Sequence, residues 1–230
     1  MFGRKAREAD SDAVEIDTDA DLETEDGVDD TDAEEAEGAT DVDPRADGPF
    51  DIDEVDLDAD EVERVEFGPL VITPFEGLGL QLHGDKDSGV VQALLGTFGD
   101  SGLELALFAA PRTGGLAAEL REAIIEETAQ AGGHAQEAQG PFGTEVRRVL
   151  PMEGPEGEQL FHVSRIWLVE GPRWLLRGSL MGRAGLVGGE EAPADVFVEF
   201  FRNVVVKRDP QPRVPGELIH LALPAGAPRG

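Results

Sequence analysis

Leu160-Phe161-His162-Val163-Ser164-Arg165-Ile166-Trp167-Leu168-Val169-Glu170-Gly171-Pro172-Arg173-Trp174-Leu175-Leu176-Arg177-Gly178-Ser179-Leu180 reads as two strands and a turn. Aliphatic, β-branched and aromatic residues fill both arms, and Gly171-Pro172 interrupts them, so 160–169 and 173–180 are expected to pair as a hairpin. Upstream the same period of two recurs. Leu78, Leu80 and Leu82 alternate with Gly79, Gln81 and His83, and Leu103, Leu105, Leu107 and Ala109 form a second alternating run. Residues 90–98 supply the strand between them, with 84–89 and Gly99-Asp100-Ser101-Gly102 as turns. Strands are also expected at 134–139 and 144–150, followed by a Pro/Gly/Glu loop at 151–158.

Two stretches carry the helical period instead. Leu116, Leu120, Ile124 and Thr128 recur every four residues, and Gly132-Gly133 closes that helix. A second helix is predicted over 193–202, with Pro193 in its first turn and Val196, Phe197, Phe200 and Phe201 on its apolar face. Val204-Val205-Val206 follows as a last strand. About eight strands and two helices, mostly joined as hairpins, predict an α+β fold: a single antiparallel β-sheet domain with the two helices on a face. The order of elements loosely resembles the PsbP/Mog1-like sandwich, an adaptor-type fold.

Around this core the chain divides unevenly. Residues 1–66 hold 28 of the 49 acidic residues and 5 of the 19 basic ones, a net charge of −23, against −7 for the rest. Between Gly3 and Asp47 the only large apolar residues are Val14, Ile16, Leu22, Val28 and Val42. Burying them would return about 10 kcal/mol. Ordering the stretch would cost roughly 50 kcal/mol or more. A disordered acidic N-terminal tail is therefore expected over 1–47. Residues 48–63 interleave Phe50, Ile52, Val55 and Leu57 with acids, which suits a linker or a docking segment that packs on its own domain or on a partner. The globular domain is placed at 64–208, about 145 residues, and 209–230, with five prolines, as an extended C-terminal tail.

Composition excludes several function classes. A direct nucleic-acid binder needs clustered Lys and Arg, which this acidic chain does not offer. No run of about 18 apolar residues exists, so no membrane helix is expected. Without an apolar signal segment after Met1, a cytoplasmic location is expected. Zero cysteines exclude disulfides, thiolate metal sites and cysteine nucleophiles. Asp17-Thr18-Asp19-Ala20-Asp21 begins like a calcium loop but has Leu22 and Val28 where Gly and Glu are required. Gly99-Asp100-Ser101-Gly102 echoes a serine-nucleophile loop, yet it is also what a tight turn prefers. His83, His134, His162 and His220 lie far apart in sequence, with no metal-ligand spacing, so no metal, cofactor or catalytic residue is assigned.

Several motifs taken together resemble an uncharacterised actinobacterial family, domain of unknown function 3710. They are Gly48-Pro49-Phe50-Asp51, Arg64-Val65-Glu66-Phe67-Gly68, Phe108-Ala109-Ala110-Pro111-Arg112, Gly140-Pro141-Phe142-Gly143, Gly171-Pro172-Arg173-Trp174-Leu175-Leu176-Arg177-Gly178 and Phe201-Arg202-Asn203-Val204-Val205-Val206, in order across 48–208. The resemblance implies a cytosolic actinobacterial protein and supplies no activity. The ratio of 3 Lys to 16 Arg fits a GC-rich genome, and a salt-adapted source is another explanation of the acidity.

Two candidate sites remain. Arg112, Thr113, Gly114 and Gly115 precede the first helix, where free N–H groups and the helix dipole favour a small anion or phosphate; capping of that helix is the simpler use of the same residues. Phe50 and Ile52 with Arg165, Arg173, Trp174 and Arg177 form a candidate interaction surface, since Arg and Trp are enriched where proteins meet; strand alternation equally allows the tryptophans to be core with the arginines facing solvent. The reading that follows is a non-enzymatic binding or adaptor protein. Its acidic arm engages a protein partner with a basic surface, or its own domain. The alternative is a small-anion-binding protein or enzyme built on Arg112–Gly115.

Overall fold

Twelve strands, three α-helices and a 3-10 turn make up the computed structural model, which describes residues 45–84, 90–208 and 211–224. The disorder expected of the acidic arm up to residue 44 lies outside the described residues, as do 85–89, 209–210 and 225–230. In chain order the elements are β1 (Phe50–Asp51), the 3-10 turn Ile52–Glu54, β2 (Val65–Phe67), β3 (Leu70–Ile72), β4 (Gly79–Gly84), β5 (Val91–Phe98) and β6 (Ser101–Ala109). Then come α1 (Leu116–Gln130), β7 (His134–Gly140), β8 (Gly143–Glu153), β9 (Gln159–Gly171), β10 (Trp174–Gly182), α2 (Arg183–Leu186), α3 (Asp195–Arg202), β11 (Val205–Val206) and β12 (Leu218–Ile219).

The strands form two open sheets where the sequence predicts one. The larger has the order β4-β5-β6-β10-β9-β8-β7, and β12 pairs with β6 beside β5. All its pairings are antiparallel. The smaller sheet, β1-β11-β3-β2, contains a parallel pair, because Phe50 and Asp51 align with Val205 and Val206. The physical reason for the correction is length. Two- and three-residue strands carry no readable period, and their partners lie far away in sequence. The predicted hairpin is the centre of the large sheet: Trp174 pairs with Gly171, and Gly178 with Trp167. Pro172 and Arg173 form its turn, and Arg173 adopts φ 68°, a left-handed conformation that costs a non-glycine residue roughly 1 kcal/mol.

Alternation then sorts the side chains between the two faces. Leu103, Leu105, Leu107, Trp167, Val169, Trp174, Leu176 and Leu180 point to one face, where they meet Phe67, Leu70, Ile72, Val204 and Val206 of the small sheet. Four residues of α3, Phe197, Val198, Phe200 and Phe201, complete this core. Phe142, Trp167 and Phe201 pack as a cluster with ring centroids 4.6–5.3 Å apart. Gly178 permits that approach, because a Cβ there would lie 2.7 Å from the Phe201 ring. On the opposite face, Leu116, Leu120 and Ile124 of α1 cover Val146, Ile166, Leu168 and Leu175. The folded body extends beyond 64–208: β1 at its start and β12 at its end are both paired into sheets.

Candidate functional site

Glu145, on β8, is the starting point of the site, although it lies in the interior. Its carboxylate and the Arg165 guanidinium are each 1% exposed. Arg165 Nη2 donates to Glu145 Oε2 at 2.8 Å, Trp167 Nε1 donates to the same oxygen at 2.9 Å, and Arg147 Nε donates to Oε1 at 3.0 Å. Such a pair is tolerated in the core because both groups are saturated with hydrogen bonds. Arg165 spends its remaining donors outside the sheet. Nη1 donates to the carbonyls of Val187 and Gly189 at 3.0 and 2.9 Å. The buried pair thus fixes the connection between α2 and α3, and with it the next residue, Glu190, whose Oε1 accepts from Arg202 Nη2 at 2.9 Å.

That connection forms one rim of an open groove along α3, with a volume of about 510 Å³. Pro74, Phe75, Val196 and Phe200 supply apolar surface, and Phe75 stacks edge-on against Phe200 at 6.2 Å. Glu190, Asp195 and Glu199 supply the charge, with Arg202 and Asn203 between them. Glu199, Arg202 and Asn203 also line a neighbouring hollow of about 410 Å³, together with Ala46, Asp47 and Phe50. Asp195 and Glu199 are four residues apart on one helix, where like charges oppose folding. Among the described residues Asp47, Asp195 and Glu199 have no ion-pair partner; Glu199 Oε1 accepts only from the neutral amide of Asn203, at 2.7 Å. The strip therefore carries negative charge beside apolar surface.

A second buried carboxylate holds the other end of the strip. Asp51 is fully buried, with Oδ2 accepting from Trp174 Nε1 at 2.8 Å and Oδ1 from Arg208 Nε at 3.0 Å. It also caps the 3-10 turn, accepting from the Asp53 N–H at 3.1 Å while Glu54 Oε2 accepts from the Asp51 N–H at 2.7 Å. Arg45 grips Glu54 at 2.7 Å, and its guanidinium holds the Glu54 carboxyl below the usual carboxylate range. Next to this cluster lies a small cavity of about 40 Å³, whose polar lining consists of Arg173, Lys207, Arg208, Gln211 and Arg213.

The sequence-predicted residues are dispersed by these arrangements. Arg165 is interior, Trp174 is 1% exposed in the core, and Arg173 sits in the hairpin turn. Arg177 falls on the opposite face of the sheet from Trp174, since their positions differ by an odd number. They form no single surface, although Arg173 and Trp174 both line the small cavity of about 40 Å³. Phe50 pairs with Val205 in the small sheet and lines the smaller hollow, and Ile52 begins the 3-10 turn. At the start of α1, the chain supplies its own anion: Gly115 N–H donates to Glu170 Oε2 at 3.0 Å and Ala117 N–H to Oε1 at 3.1 Å. Arg112, Thr113, Gly114 and Gly115 are exposed around that carboxylate. Asp195 and Glu199 were readable as a polar stripe opposite the phenylalanines of α3. Glu145 and Asp51 offered no signal, because their partners come from distant strands.

Among the described residues, no group of three or more His, Cys, Asp or Glu is placed to hold a metal ion, and no helix is long and apolar enough to cross a membrane. A family model described as a protein of unknown function, DUF3710, matches residues 48–229, and the chain belongs to that family. No curated protein and no solved structure matches it, so the likeness to a PsbP/Mog1 sandwich gains no support.

Proposed function

We propose that this member of the DUF3710 family is a binding protein whose α3 groove receives a protein segment carrying a basic side chain beside an apolar anchor. The observation that supports this reading is a set of carboxylates, Asp47, Asp195 and Glu199, that have no ion-pair partner among the described residues, along an apolar strip with about 510 Å³ of open volume. Retaining a like-charged pair on one helix face costs stability, and a cationic partner would offset that cost. The apolar residues supply contact area, and the carboxylates set orientation and exclude acidic competitors.

The arm strengthens the reading. A net charge of −23 over residues 1–66 attracts a basic partner over distances comparable to the screening length, about 10 Å at 0.1 M salt. The arm thus acts on the rate of encounter, and the groove on the lifetime of the complex.

A random-peptide display selection against the full-length protein tests the groove. The enriched peptides are expected to place Lys or Arg next to Leu, Phe or Trp. A synthetic copy of the best peptide is expected to bind the Asp195→Asn/Glu199→Gln double variant about tenfold more weakly, equivalent to roughly 1.4 kcal/mol. Acidic or purely apolar winners, or affinity indifferent to the double variant, overturn the proposal.

A further inference from the structure

We propose that the cavity of about 40 Å³ beside Asp51 binds a small organic monocarboxylate, with Arg173 as the cation that recognises it. The site shares no lining residue with the α3 groove or its neighbouring hollow.

Segments far apart in sequence build this cavity. β6 supplies Leu107 and Ala109, which pair with Ile219 of β12 and Trp174 of β10. Val206 of β11 and Ala110 complete an apolar floor. The polar lining is entirely cationic or amide. Arg173 comes from the turn between β9 and β10, Lys207 and Arg208 directly follow β11, and Gln211 and Arg213 lie on the stretch leading to β12. Among the described residues no carboxylate lines the cavity. Its volume has room for about three waters, close to the size of one carboxylate group.

Most of the lining cations already hold an acid that lies outside the cavity. Lys207 Nζ donates to Glu66 Oε1 at 2.5 Å, and Arg213 Nη1 to Glu217 Oε1 at 3.0 Å. Arg208 Nε donates to Asp51 Oδ1 at 3.0 Å, and its Nη2 pairs with Asp53. Arg173 differs: its guanidinium is half-buried and has no hydrogen bond or ion pair among the described residues. The turn itself does not ask for an arginine there, because φ 68° suits glycine or asparagine better. The chain thus keeps a cation at the cavity in spite of the backbone, and strain of this kind gathers at ligand sites. The cavity offers one uncompensated positive charge beside apolar surface. A monoanion matches that charge, and the guanidinium fork matches a planar carboxylate. A short alkyl body gains by leaving water against Leu107, Val206 and Ile219. Phosphate at neutral pH carries more than one charge and has no apolar surface to bury.

The test titrates the full-length protein with propionate, its neutral isostere propionamide and inorganic phosphate, each at constant ionic strength against a chloride background. 15N NMR reads the two indole N–H signals. Trp174 lines the cavity and donates to Asp51, whereas Trp167 donates to Glu145 and serves as the internal control. Saturable propionate binding is expected, with the Trp174 signal moving and the Trp167 signal still, and with propionamide and phosphate each at least tenfold weaker. Arg173→Gly removes the cation and suits the left-handed turn. It is expected to match the unaltered chain in urea midpoint while binding propionate at least tenfold more weakly. Arg173→Lys keeps the charge without the fork and is expected to fall between the two. The proposal is overturned by no saturable response beyond chloride, by phosphate or propionamide binding as tightly as propionate, by a Trp174 signal that stays unmoved at saturation, or by Arg173→Gly retaining the affinity of the unaltered chain.

Discussion

Two clusters in this fold use the same three groups and behave differently. In one, the Glu145 carboxylate takes the Arg165 guanidinium and the Trp167 indole N–H; in the other, Asp51 takes Arg208 and the Trp174 indole N–H. Both carboxylates are buried. Their cations are not equally so: the Arg165 side chain is 1% exposed and that of Arg208 33%. The first cluster is a sealed lock whose spare donors hold the connection between α2 and α3. The second is a clasp at the margin of the fold, holding the segment around β1 against strands more than a hundred residues away. Exposure of the cation decides how much each pair contributes, since water competes for Arg208 and not for Arg165.

Glu145→Gln breaks the comparison at its stronger end. It leaves Arg165 buried and uncompensated, so a loss of about 3–5 kcal/mol is expected, read as a lower midpoint in urea unfolding. Adding Arg165→Met to Glu145→Gln should recover part of that loss; a double variant as unstable as the sum of the two singles would refute the assignment of a lock.

Asp51→Asn keeps an acceptor for the Trp174 indole but removes the charge facing Arg208. A loss of about 1–3 kcal/mol is expected, smaller than at Glu145, with protease cleavage appearing first near 45–54. If the two carboxylate variants cost the same, exposure of the cation is not what separates the clusters.

Arg208→Gln tests the exposed cation itself. Its expected cost is below about 1 kcal/mol and shrinks as salt is added, whereas the effect of Glu145→Gln persists in salt.

The smallest effect belongs to Glu54. Its folded pKa is lowered, chiefly by the hydrogen bond from Arg45, so its contribution is present above the unfolded value near 4.5 and is lost as pH falls through the folded value. Acid titration of stability should show a slightly shallower decline for Glu54→Gln than for the unaltered chain. Identical profiles would remove Glu54 and Arg45 from the clasp.

Much of the large sheet was legible in the sequence, because strands of eight or more residues repeat their period several times. β4 and β6 lie where alternation puts them, β5 between them, β9 and β10 at the expected hairpin, and α1 where the four-residue step puts it. The candidate site was legible in part. The phenylalanines of α3 announced a buried face, so Asp195 and Glu199 had to lie on its polar side. The proposed Arg and Trp surface dissolved for a reason also present in the sequence: Trp174 and Arg177 differ by an odd number and so cannot share a face of one strand.

Charge density and periodicity are local properties, so the acidic stretch, the central hairpin and the two main helices can be read from the order of residues alone. Long-range packing settles the rest: Phe50–Asp51 joins β11, Glu170 fills the start of α1, and Glu145 and Asp51 each meet an indole and a guanidinium in the interior. Those choices depend on which distant segments share the limited buried space, and a buried carboxylate is stable only where the completed fold delivers its donors.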